Sequence, residues 1–152
     1  MADVTIRQRL EADLKDAMRA GDATTRDAIR YLLSAVKNAE IDARGTGVPA
    51  DADAALRKVG KQLADAIDQY RAASRDDLAD HEQAQLDVLK RYLPQEMSDD
   101  ELHAMVAAAI TEVGATGPKD MGRVMPVVLA RSSGRADGRR VSSAVKDALS
   151  SL

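Results

Sequence analysis

The sequence predicts an all-α fold, an N-terminal four-helix part followed by a small C-terminal three-helix bundle, and three observations carry that prediction. Apolar residues recur at helical spacing along the whole 152-residue chain, and no stretch alternates as a strand would. The 45% hydrophobic content is mostly Ala, Leu, Val and Ile, with three Tyr and no Phe or Trp, a composition suited to close-packed helices. Glycine, proline and short polar capping residues fall where the apolar stripes stop.

The first helix is expected over residues 3–20, with Ile6, Leu10, Leu14 and Ala17 or Met18 inward. Gly21 stands just past its end, where a left-handed residue is usual. Thr24 followed by Asp27 resembles a capping box with Asp in place of Glu or Gln. The second helix then turns Ile29, Leu32, Leu33 and Val36 inward and leaves Arg26, Arg30 and Lys37 for its exposed side. It ends near Gly45-Thr46-Gly47-Val48-Pro49, the clearest loop in the chain. A third helix starts between Asp51 and Ala54 and buries Leu56, Val59, Leu63, Ile67 and Tyr70. After a pause at residues 73–75, a fourth carries Leu78, Leu86, Leu89 and Leu93.

Pro94 disfavours helix in the residue before it and sets the expected boundary between an N-terminal domain, residues 1–93, and a C-terminal domain, residues 94–152. Just beyond, Ser98 and Glu101 form a Ser-x-x-Glu capping box for a fifth helix, with Leu102, Val106, Ile110 and Val113 on one face and Gly114 at its end. Pro118 suits the first position of a sixth helix whose inner face reads Met121, Val124, Met125, Val128 and Leu129. Pro126 interrupts that helix, removing one hydrogen bond and crowding the carbonyl of Gly122, at a cost of ~3 kcal/mol in an unadapted helix. Either the helix kinks there or regular helix begins near Pro126. Asp137 then caps a seventh helix with Val141, Val145, Leu149 and Leu152 as its apolar stripe.

Charge is segregated. Residues 119–146 hold seven basic side chains (Lys119, Arg123, Arg131, Arg135, Arg139, Arg140 and Lys146) against two acidic ones, in a chain of formal net charge −3. Three of the arginines surround the Gly134-Arg135-Ala136-Asp137-Gly138 corner, where backbone N–H groups and a helix dipole favour an anion. Two readings stay open: a face that meets a polyanion, and a merely solvated basic face.

Other chemistries find little support. Without cysteine there is no disulfide, thiolate nucleophile or Cys-type zinc site. No glycine-rich phosphate loop is present, His81 and His103 stand apart from any nucleophile, and no metal-ligand spacing occurs. The run Asp76, Asp77, Asp80, Glu82 and Asp87 reads as a solvated helix face rather than paired catalytic carboxylates. Arg71 and Arg75 beside it suit bridging the turn between the third and fourth helices. No catalytic residue, metal or cofactor is therefore expected. The N-terminus lacks the apolar core of a signal peptide and no run suffices to span a bilayer, so a cytoplasmic protein without membrane contact is the expectation.

The segments Lys119-Asp120-Met121-Gly122-Arg123-Val124-Met125, Gly134-Arg135-Ala136-Asp137-Gly138 and Val141…Val145-Lys146…Leu149 resemble the C-terminal signature of the GatB/YqeY family. Similarity to its stand-alone YqeY-like members extends to Lys61-Gln62, Asp65-Ala66-Ile67, Arg75-Asp76-Asp77-Leu78, Tyr92-Leu93-Pro94 and residues 110–114. The resemblance implies a two-part helical fold. It also implies an association with tRNA, because a domain similar to residues 94–152 is the tRNA-holding tail of the subunit that serves glutamine-dependent tRNA amidotransferase. That subunit's catalytic domain has no counterpart here. The resemblance thus favours a non-catalytic tRNA-binding protein, with the seven basic residues as phosphate contacts. A protein-interaction adaptor of the translation machinery, and a carbon–nitrogen ligase component using glutamine as amido donor, are the alternatives. Residues 94–152 lack the aromatic side chains that single-strand readers use, which leaves contacts to the phosphates of a folded, double-helical RNA. On this reading, replacing Arg135, Arg139 and Arg140 lowers RNA affinity without unfolding the chain.

Overall fold

Seven α-helices and one 3-10 turn account for the regular structure of the computed structural model, which describes residues 3–152; no strand occurs among the described residues. Met1 and Ala2, assigned by sequence to the N-terminal domain, lie outside the described residues. The chain divides into two compact units, one running to Leu93 and the other from Pro94 to Leu152.

In the first unit, α1 (Ile6–Ala20), α2 (Ala23–Ala43), α3 (Ala52–Ala72) and α4 (Asp76–Lys90) pack around one apolar cluster. Leu10, Ile29, Leu32 and Leu56 are fully buried, each contributing about 1.5–3 kcal/mol of transfer free energy. Most inward positions read from the spacing are buried; Ile6, Leu14, Leu78, Leu86 and the Tyr70 expected in the core are only half-buried, Met18 remains 54% exposed, and Leu93 lies half-buried beyond the end of α4. The start of α1 is cut at Thr5, whose hydroxyl accepts from the Gln8 N–H while the Gln8 side chain accepts from the Thr5 N–H. The α2 cap differs from expectation. Asp22, not Thr24, accepts from the Thr25 N–H, because the chain leaves α1 through the left-handed Gly21 and is already helical at Ala23. Gly60 lets α3 lie close against α4: a Cβ there would stand 3.0 Å from a methyl of Leu89.

The second unit comprises α5 (Asp99–Val113), a 3-10 turn (Pro118–Asp120), α6 (Met121–Ser132) and α7 (Gly138–Ser150) around a second cluster. Ser98 and Glu101 form the reciprocal capping box and Gly114 ends α5 in a left-handed conformation. Pro118 opens the 3-10 turn rather than α6 itself. The question raised by Pro126 is answered: α6 begins at Met121 and runs through the proline to Ser132. Pro126 and Gly122 are both exposed, so the carbonyl that loses its intrahelical partner is on the solvent side. Two stripe residues lie outside the core, Leu129 at 43% and Leu152 at 64% exposure. Asp137 caps α7 by accepting from the Arg140 N–H at 2.8 Å.

Candidate nucleic-acid interface

The basic stretch folds back onto the acidic one. Between Pro94 and Leu152 the chain carries seven basic and eight acidic residues, and four of the seven nominated cations meet a carboxylate of the same unit. Arg135, at the corner between α6 and α7, donates through Nε to the carbonyl of Gln95 (2.9 Å) and through Nη2 to Glu101 (3.0 Å). Arg140 donates through Nη2 to the carbonyl of Met97 (2.8 Å) and to Asp99 (3.0 Å). Arg123 reaches Asp120 (3.2 Å) and the Val113 carbonyl, and Arg131 reaches Glu112. Asp120 is held below the usual carboxylate range, first by the Thr116 N–H at 2.8 Å and then by the Arg123 guanidinium.

Lys119, Arg139 and Lys146 are exposed and have no carboxylate within 4 Å among the described residues. Lys119 is in the 3-10 turn, and Arg139 and Lys146 lie seven residues apart on α7, hence on one side of it. Arg139 borders a groove of about 350 Å³ between α5 and α7, with His103, Ser143 and Asp147 also on its walls. The corner does not gather all the arginines around one open anion site: Arg135 and Arg140 face segment 95–101, and Arg139 faces out.

This division was hidden in the sequence, where Asp99 and Glu101 read only as the cap of α5. The available signal was sign complementarity: an acidic first turn 34 and 41 residues before the arginines that meet it.

In the first unit, Arg71 bridges to Asp76 (3.4 Å) and Asp80 (3.2 Å), while Arg75 holds Asp77 through two bonds of 3.1 Å. Asp77 is thereby kept below the usual carboxylate range. The acidic run is thus partly engaged in the turn between α3 and α4. His81 and His103 are exposed, and no cluster of three metal-ligating side chains occurs among the described residues. No described helix is long and apolar enough to cross a membrane.

Helices, caps and paired charges define a small all-α protein made of a four-helix unit and a three-helix unit in which four of seven basic residues pair with carboxylates of the same unit. The chain belongs to the Yqey-like protein family, which it matches over residues 7–149. It is similar to Altered inheritance of mitochondria protein 41, mitochondrial, of the fungus Pyrenophora tritici-repentis, at 34% identity over 146 residues, covering 91% of this chain and 78% of the relative. The protein of that name in Lachancea thermotolerans is 33% identical over 143 residues, covering 90% and 76%. In Saccharomyces cerevisiae the match is 40% over 89 residues, spanning 57% of this chain and 47% of that protein.

These relatives are named as mitochondrial proteins, which overturns the cytoplasmic expectation. Mitochondrial transit segments are amphipathic and arginine-rich, so the lack of an apolar signal core or a bilayer-spanning run does not argue for the cytoplasm.

Proposed function

We propose that this chain is a non-catalytic RNA-associated protein whose C-terminal unit rests on the phosphate backbone of a folded RNA. The resemblance to the tail of the tRNA amidotransferase subunit points to tRNA as the RNA class. The observation that supports this reading is the exposed pair Arg139 and Lys146 on α7, unneutralised beside four paired arginines. Lys119 adds a third free cation, while Arg123 and Arg131, exposed beyond 40% but already paired, contribute less. Arg135 and Arg140 act by shaping the corner that carries Arg139.

Binding of purified protein to bulk tRNA across a salt series tests the reading. Replacing Lys119, Arg139 and Lys146 with Ala together should weaken binding and lower the log–log salt slope by about one per cation that met a phosphate. No tRNA binding at low salt, or a slope indifferent to the three changes, would remove it. No residue is assigned to catalysis, and glutamine-dependent amide formation by the purified chain alone would overturn the non-catalytic part.

A second reading, an adaptor for a protein of the translation machinery, is favoured by the outer side of α6. There Gly122, Pro126, Leu129 and Ser133 form an exposed strip without charge. Leu129→Glu abolishes protein capture on the adaptor reading and leaves tRNA binding intact on the first.

A further inference from the structure

We propose that the outer face of α2 is a separate RNA contact, one that takes unpaired nucleotides by stacking and phosphate pairing. The face is made by Arg30, Tyr31, Ser34, Lys37, Asn38 and Ile41, all exposed, at spacings that keep them on the side of α2 opposite buried Ile29, Leu32, Leu33 and Val36.

Three features set it apart. Tyr31 is 41% exposed, whereas Tyr92 is buried and Tyr70 half-buried, so it is the aromatic side chain this protein presents most openly to solvent. Aromatic rings displayed this way stack on splayed bases, and duplex RNA offers no such base. Arg30 and Lys37, one heptad apart and thus about 10 Å along the axis, have no carboxylate within 4 Å among the described residues; the nearby Asp27 is already paired with Arg26 at 2.8 Å. The face runs between Asp27 and Asp42 without another exposed carboxylate. Ser34 and Asn38 separate Tyr31 from Ile41, so the strip lacks the continuous apolar seam that a partner helix requires. Cation, ring and amide in that order suit a sugar–phosphate strand with one base turned onto Tyr31.

This contact lies in the other unit and uses none of the residues of the tRNA reading, so the two stand or fall separately. The probe is a short oligouridylate at low salt, followed by anisotropy and by the protein's own tyrosine emission, which is free of tryptophan. The wild-type chain should bind with quenching of that emission. Tyr31→Ala should weaken binding on the order of tenfold and abolish the quenching, and Tyr31→Phe should keep the affinity. Arg30→Ala with Lys37→Ala should lower the magnitude of the salt slope by about 1.4. The proposal is overturned if wild type does not bind, if Tyr31→Ala binds as well as wild type, or if Tyr31→Phe loses as much as Tyr31→Ala. Because every altered side chain is exposed, unchanged thermal unfolding is expected and keeps each result interpretable.

Discussion

The backbone N–H of Met97 donates to the carbonyl of Arg135 at 2.7 Å, joining the segment just after Pro94 to the corner between α6 and α7. Around that bond, Arg135 returns two hydrogen bonds to Gln95 and Glu101, and Arg140 adds two to Met97 and Asp99. Met97 itself is 3% exposed. Residues 95–101 are therefore held to the corner by main-chain and guanidinium contacts together.

Arg140→Ala leaves the buried-residue carbonyl of Met97 without its side-chain donor and frees Asp99. A loss of about 1–3 kcal/mol in unfolding free energy is expected, as for hydrogen bonds to charged groups at partly exposed sites. Arg135→Lys should not rescue the corner, because an ammonium cannot reproduce the fork that reaches Gln95 and Glu101 at once. Arg139→Ala should stay within about 0.5 kcal/mol of wild type. Urea titrations decide this. An Arg140→Ala variant as stable as wild type would return Arg140 to the set of cations available to RNA. Replacing Arg135, Arg139 and Arg140 together, without unfolding the chain, is thus expected to cost stability at Arg135 and Arg140, with Arg139 alone free of that cost.

Tyr92 is expected to contribute to the alkaline unfolding of the first unit. Its ring is buried, its hydroxyl donates to the carboxylate of Asp13, and the Arg9 guanidinium lies 5.1 Å from the ring centroid. Burial, reinforced by the bond to Asp13, pushes the phenol well above its ordinary value of 10.0. A folded-state pKa above the unfolded one means that the native state holds a proton the unfolded state gives up. Its stabilising share is complete below about pH 10 and declines as pH rises beyond it. Tyr92→Phe should lose about 1–2 kcal/mol at neutral pH and show a shallower decline above pH 10. Thermal melts across that range, with tyrosinate absorbance as the second readout, check it. An unchanged alkaline limb in Tyr92→Phe would show that lysine titration alone sets the limit.

What the sequence made legible was local. Buried faces follow the 3.6-residue period, so Ile29, Leu32, Leu33 and Val36, or Val141, Val145 and Leu149, could be read directly. Caps with a short polar side chain at the break, such as Ser98 and Asp137, were equally plain. Errors arose where two signals competed: Thr24 with Asp27 imitated a cap that Asp22 supplies, Leu129 kept the period but is exposed on α6, and Leu152 kept it past the end of α7. The candidate interface was the least legible part. Whether an arginine is a ligand for RNA or a staple for its own chain depends on which carboxylate folding brings near it, and helical spacing carries no information across 34 or 41 residues.

Pro126 gives the last prediction. Within Met121–Ser132 it is the sixth residue, where a proline leaves the Gly122 carbonyl without its N–H donor and crowds it. Gly122 and Pro126 are exposed, whereas Val124 and Val128 are fully buried on the other side of α6. The proline therefore costs a backbone bond on the solvent side of the helix. Pro126→Ala restores the donor and removes a helix penalty of about 3 kcal/mol, against a gain of about 0.4–1 kcal/mol in unfolded-state entropy and whatever hydration the exposed carbonyl already enjoys. A net stabilisation of about 1–2 kcal/mol is expected, or a midpoint raised by roughly 2–8 °C. Calorimetry measures it. A midpoint equal to or below that of wild type would mean that water at the Gly122 carbonyl already compensates the lost bond, and that the proline instead limits fraying at the start of α6.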